Sequence, residues 1–308
     1  MITLSGIKEV FKHSRWYSSD MTVFSCLVCF LCALAEQGNV LNGIVAFVGI
    51  LFAHMATNLY DDYDDYKELV KDPRFEEFAP TVKCSYLRDG TSTMQDLLFV
   101  ICSYCGISIL TGLFLLIRVG YPVLLLALIG GVIVLSYPKL SRAGLSEVGV
   151  GIAFGPLLFE GMYFVMTKTF SWKVLILGLS IVMFIIAVMY VHTILDFDSD
   201  KIASKKTLVQ KIGSKEKAML GVKILYSLGY FLILVYSVVV KNYFCLFSLC
   251  TIFFVVALYN SLSQYNSSGY YSRNEEYLKV LVGAVKVSTV FSFFISTAIF
   301  IDLLIKSY

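Results

Sequence analysis

Long apolar runs broken by short charged segments set the pattern of this chain. Nine runs read as membrane spans, at about 21–36, 40–60, 96–117, 121–137, 146–167, 173–195, 218–240, 243–263 and 278–305. The hydrocarbon core of a bilayer takes roughly 20 mostly apolar residues per helix. Backbone polar groups in lipid must pair internally, which leaves helices or closed barrels. The runs are continuous rather than alternating, so they predict helices and not barrel strands. The expected fold is an all-α integral membrane protein of nine transmembrane helices, with residues 1–308 as a single domain.

Composition agrees. Hydrophobic residues make up 58% of the 308 positions and charged residues 15%, against about 45–50% and 25% in soluble domains. Mean hydropathy is +0.77. A water-soluble enzyme, a disordered tail and a nucleic-acid-binding module are excluded, and a net charge of +3 gives nucleic acid no footing. The position of the charges is more telling. With the N-terminus inside, 18 Lys and Arg residues fall in inner segments and 5 in outer ones. That bias predicts a multi-pass protein of the inner (cytoplasmic) membrane, N-terminus cytoplasmic and C-terminus outside. Ala33-Leu34-Ala35 resembles a signal-peptide cleavage site, but the first run is long enough to stay in the membrane. The eight cysteines read as small buried hydrophobes.

Two acidic clusters stand out at the inner ends of spans two and six. The first runs from Asn58 through Asp61, Asp62, Asp64 and Asp65, the second from Asp196 through Asp198 to Asp200. Ionised Asp is expensive within the membrane. At 100° per residue Asn58, Asp61, Asp62 and Asp65 share one helix face, while Asp64 points elsewhere. Asp196 and Asp200 share another face, with Asp198 nearly opposite. An even number of crossings separates the two spans, so both clusters open to the cytoplasmic side. Carboxylates converging on one cavity raise each other's pKa unless cations join them. Hard oxygen ligands select Mg²⁺, which commonly bridges to substrate phosphates.

Basic residues follow each cluster. Lys83, Arg88 and Thr91 lie after span two, Lys139 and Arg142 between spans four and five, and Lys205, Lys206 and Thr207 after span six. Metal-holding carboxylates beside Lys and Arg describe a diphosphate site. The recurrence of the pattern also suggests a duplication, with spans one to four resembling five to eight and span nine appended. Transporters share such repeats, so the repeat alone selects no enzyme.

These motifs resemble those of the UbiA-type intramembrane prenyltransferases. Asp61-Asp62-Tyr63-Asp64-Asp65 is similar to that family's first Asp-rich motif, with Asp61 where Asn is usual. Asp196 to Asp200, with Lys205, Lys206, Thr207 and Leu208, is similar to the second. Tyr137-Pro138 ending in Arg142 resembles the basic turn between helices four and five. Gly144-Leu145-Ser146-Glu147, then Phe154-Gly155-Pro156-Leu157 and Gly161-Met162-Tyr163, resemble 1,4-dihydroxy-2-naphthoate polyprenyltransferases of menaquinone biosynthesis. His192-Thr193-Ile194-Leu195 departs from that subfamily's Asn-rich approach to the second motif, and His13-Ser14-Arg15-Trp16 from the family's usual start to the first span.

The resemblance implies a UbiA-like bundle whose central cavity opens to the cytoplasm. It implies Mg²⁺-dependent transfer of a prenyl group from a prenyl diphosphate to an aromatic acceptor. Asp61, Asp62, Asp65, Asp196 and Asp200 would hold metal, with Asn58 as a neutral ligand. Lys83, Arg88, Arg142, Lys205 and Lys206 would grip the diphosphate. Glu160, His54, His192 and Lys286 are further candidates within or near spans, with Lys286 a possible partner of Glu160. Other readings are a different acceptor, a UbiA-type terpene cyclase, and a transporter.

Overall fold

The computed structural model describes residues 2–71, 85–202, 206–267 and 275–307. Every element among them is helical. A short amphipathic helix, α1 (Leu4–Lys12), and a 3₁₀ turn (Trp16–Ser18) precede α2 (Ser19–Ala35) and α3 (Val40–Leu69). Then come α4 (Ser85–Arg88), α5 (Met94–Val119) and α6 (Pro122–Arg142). The fifth apolar run is divided into α7 (Ser146–Ile152), a π-helical turn (Ala153–Leu157) and α8 (Leu158–Thr167). α9 (Trp172–Leu195) follows, then α10 (Phe197–Ile202), α11 (Leu208–Ile212) and α12 (Lys215–Val240). A 3₁₀ stretch (Tyr243–Thr251) enters α13 (Ile252–Ser267), and α14 (Glu275–Ser307) closes the bundle.

Eight of the nine expected spans are helical units long and apolar enough to cross a membrane. The first, Ser19–Ala35, has 17 residues and rises about 25 Å at 1.5 Å per residue, short of a core about 30 Å thick. The chain just before it turns through Arg15, whose left-handed φ of 58° starts the 3₁₀ turn, and so cannot extend the helix.

Local chemistry sets several helix ends. Thr93 and Asp96 form a capping box at the start of α5. Asp96 also accepts from the Thr3 backbone N–H at 2.7 Å, fastening α1 to α5. Pro156 has no N–H to donate, and Gly155 departs from helical geometry (φ −91°, ψ −106°), which accounts for the π turn. α9 is the most enclosed span and is apolar on all sides, as expected of a helix packed all round. Phe184 of α9 stacks on Phe291 of α14 at 3.7 Å between centroids, and Ser180 Oγ donates to the Gly229 carbonyl at 2.8 Å. Close approach at small residues is how helices associate in lipid.

The two acidic helices, α3 and α9, both pack on α2 and α8. α6 packs beside α3, and α7 bridges α6 to α9. The C-terminal ends of α3 and α9 therefore share the same neighbouring helices.

Candidate active site

Burial sorts the carboxylates as the helical phase does, except at Asp65, which was expected inward and falls in the same class as Asp64. Asp61 and Asp62 are 5% and 2% exposed, and Asp196 and Asp200 are 6% and 8%. The side chains of Asp64 and Asp198, expected to point away, are 25% and 30% exposed. Asp65 is half-buried.

Each cluster is met by cations or hydroxyls. Arg15, just ahead of α2, forms an ion pair with Asp62. Arg142, the last residue of α6, forms an ion pair with Asp64. Asp196 accepts from the Tyr277 hydroxyl at 2.8 Å and lies 3.3 Å from His192 Nε2. Lys215 Nζ is 2.5 Å from Asp198. Buried carboxylates are stable only when compensated in this way.

Asn58 belongs to a polar chain running into the bundle. Its amide nitrogen donates to Ser18 Oγ at 3.2 Å and meets His54 Nε2 at 3.2 Å. The other ring nitrogen of His54 meets Thr22 Oγ1 at 2.7 Å. With Asn58 donating to Nε2, the ring is a neutral imidazole carrying its proton on Nδ1. Phe154, in the π turn, packs edge-on against His54 at 5.2 Å.

The turn between α6 and α7 connects the two halves. Arg142 reaches the first cluster through its side chain, and its carbonyl accepts from the Lys206 N–H at 3.3 Å, just beyond the second. Lys211 Nζ donates to the Ala143 carbonyl at 2.7 Å. Gly144 sits in this turn with φ 67°.

The expected diphosphate-gripping residues divide. Arg142 lies at the first cluster, on Asp64. Lys206 touches the turn through its backbone while its side chain is exposed. Arg88 ends α4, where its hydrogen bond to Asp89 at 2.7 Å holds that carboxyl below its usual range. Lys83 and Lys205 lie outside the described residues.

Two second-tier residues lie away from the Asp clusters. Glu160 accepts from the Ser171 N–H at 3.0 Å, in the loop that joins α8 to α9 at the end opposite the Asp clusters. Lys286 is exposed and lines a groove with Asp20, so of its two expected roles, pairing with Glu160 or reaching outward from the span, the structure has the second.

Arg15, Tyr277 and Lys215 are contacts that sequence reasoning missed. The one available signal was Arg15 itself, the last charge but one before the first apolar run. Tyr277 and Lys215 begin later helices and carry no motif.

The donor set suits a hard divalent cation. It consists of carboxylates on two helices with an amide beside them, all offering oxygen. Among the described residues no three His, Cys, Asp or Glu side chains are placed together to hold a metal ion. Mg²⁺ needs no such group of three, because it keeps waters and binds through one or two carboxylates plus substrate phosphates.

A many-span helical membrane protein with two inward acidic helix ends is the class that fold and site define. The model of the UbiA prenyltransferase family matches residues 22–279, and the chain belongs to that family; it is a prenyltransferase by class. No protein of curated function matches it. Solved structures share the fold. An apo UbiA homolog from Aeropyrum pernix K1 superposes with TM-score 0.66 at 16% identity, covering 91% of this chain and 97% of its own. A digeranylgeranylglyceryl phosphate synthase gives 0.57 at 14%, covering 96% and 99%. A UbiA homolog from Archaeoglobus fulgidus, solved with GPP and Mg²⁺, gives 0.54 at 12%, covering 92% and 99%.

Proposed function

We propose that this protein transfers a prenyl group from a prenyl diphosphate to an aromatic acceptor, with 1,4-dihydroxy-2-naphthoate in menaquinone biosynthesis as the acceptor that its motifs resemble most. The observation that carries the reading is the burial of Asp61, Asp62, Asp196 and Asp200 at the same end of two helices, with Arg142, which ends α6, bonded through its carbonyl to the Lys206 N–H beyond the second cluster. The Archaeoglobus fulgidus homolog, bound to GPP and Mg²⁺, supports it.

In this reading Asp61, Asp62, Asp65, Asp196 and Asp200 would hold Mg²⁺, which would supply positive charge against the charge that grows on the leaving diphosphate. Both described contacts of Asn58 use its amide nitrogen, so its oxygen is the atom that would face a cation. Arg142 and Lys206, with Lys83, Arg88 and Lys205, hold diphosphate oxygens. Arg15 and Tyr277 keep Asp62 and Asp196 oriented. The surrounding helices exclude water from the allylic cation, and the apolar prenyl tail lies among them. Residues 1–308 form one unit, with helices one to four repeated in five to eight plus a ninth. It sits in the cytoplasmic membrane, N-terminus inside, C-terminus outside and site facing the cytoplasm.

The test is turnover in membranes supplied with Mg²⁺, labelled farnesyl or geranylgeranyl diphosphate, and a panel of phenols including 1,4-dihydroxy-2-naphthoate. A prenylated naphthoquinone supports the full reading. Product with another phenol alone keeps prenyl transfer and overturns the acceptor. Product without any acceptor points to a cyclase.

A further inference from the structure

We propose that Glu147 is the acceptor-side carboxylate, taking the proton of the aromatic hydroxyl as the ring attacks the prenyl carbon. This rests on the prenyl-transfer reading above and names the group that would recognise its second substrate.

Glu147 lies in the first turn of α7, at the cytoplasmic-side end of the bundle. It is only 7% exposed. One carboxylate oxygen accepts from Ser146 Oγ at 3.0 Å. The other, Oε1, is buried and has no hydrogen-bond partner, and among the described residues no Lys, Arg or His side chain forms an ion pair with Glu147. A carboxylate in the first turn of a helix gains from the dipole, but that gain leaves Oε1 unexplained. A buried acceptor atom without a donor is rare in folded proteins and points to a missing ligand.

Its surroundings say which ligand. The Tyr137 hydroxyl lies within electrostatic range of Glu147 and of Asp61, Asp65 and Arg15. Tyr190 of α9, also within range of Glu147, stands one and a half turns before Asp196. Glu147 therefore lies on the helix that packs between α6 and α9, close to the acidic helix ends. A diphosphate would be repelled by this uncompensated carboxylate. A phenol is suited to it, because its O–H supplies the donor that Oε1 lacks and the tyrosine faces accept its ring.

The step balances as follows. Glu147 receives the hydroxyl proton while the ring carbon bonds to the allylic carbon and the C–O bond to diphosphate breaks. The electron pair of that bond leaves on the diphosphate. The ring carbon then loses its original substituent, either H⁺, which the departed diphosphate takes, or CO₂, and the proton returns from Glu147 to the oxygen.

Glu147→Gln is nearly isosteric and keeps one acceptor oxygen. Membranes carrying wild type, Glu147→Gln and Glu147→Ala are to be compared with phenols of graded acidity. General-base catalysis contributes roughly 10²–10⁴-fold, so Glu147→Gln is expected to lower kcat/KM for the acceptor at least 100-fold. KM for the prenyl diphosphate should stay within about twofold, and the more acidic phenols should recover most of the lost rate. A purely structural role would show no such recovery. Wild-type rates in Glu147→Gln, or a loss shared with prenyl diphosphate and indifferent to phenol acidity, would overturn this role. A wild type that prenylates no phenol would overturn the prenyl-transfer reading and this role with it.

Discussion

Gly144 offers a sharp test of how the two acidic ends are joined. It has φ 67°, and a Cβ added there would run into the Lys206 carbonyl oxygen and lie 2.8 Å from the Thr207 carbonyl carbon. Gly213, beyond α11, has φ 78° with nothing within 4 Å of an added Cβ. Alanine at either position meets the same left-handed backbone penalty, about 1–2 kcal/mol. Only at Gly144 does a clash with backbone join it, worth another 1–3 kcal/mol or so by analogy with overpacking. The difference between the variants therefore isolates the contact between the α6–α7 turn and the segment at 206–207. Relieving it parts Arg142 from Lys206, so Gly144→Ala should also raise KM for the prenyl diphosphate about tenfold or more. Thermal unfolding in detergent and steady-state kinetics on both variants read the two effects. Equal stability and equal KM in the two variants would refute the claim that this turn couples the clusters.

Asp65→Ala and Asp196→Ala should each abolish turnover while the protein still purifies as a folded species; near-normal activity in both would remove the metal-diphosphate site. Asp198→Ala breaks only the half-exposed pair with Lys215, worth at most about 1 kcal/mol, so it should retain most activity, as rate measurements beside Asp196→Ala will show. Tyr277→Phe removes one hydrogen bond to Asp196, a loss of about 1 kcal/mol. It should raise the Mg²⁺ concentration needed for half-maximal rate several-fold, and an unchanged metal titration would mean that Tyr277 does not orient Asp196.

The spans and the faces of the acidic motifs were legible because each depends on neighbours in sequence. Apolar run length sets a span, and 100° per residue puts Asp61 and Asp62 inward and Asp64 outward. The compensating groups were not legible, because folding brings them from afar. Arg15 is 47 residues from Asp62, and Tyr277 is 81 residues from Asp196. Arg142 was expected at the site and is there, but on Asp64, since the outward acid is the one its turn can reach. The loop contact of Glu160 was not legible either, because its Ser171 N–H partner belongs to the turn between two spans. The first span fell short because the left-handed turn at Arg15 precedes it.

The central claim is that two separate buried acidic faces make one metal-dependent diphosphate site. Binding of an unreactive labelled prenyl thiodiphosphate to the purified protein tests it most directly, with Mg²⁺ or EDTA, in wild type, Asp65→Ala and Asp196→Ala. The account predicts saturable binding that Mg²⁺ supports and EDTA abolishes, weakened at least tenfold by either substitution alone. Binding that ignores the metal, or that survives loss of either carboxylate, would contradict it.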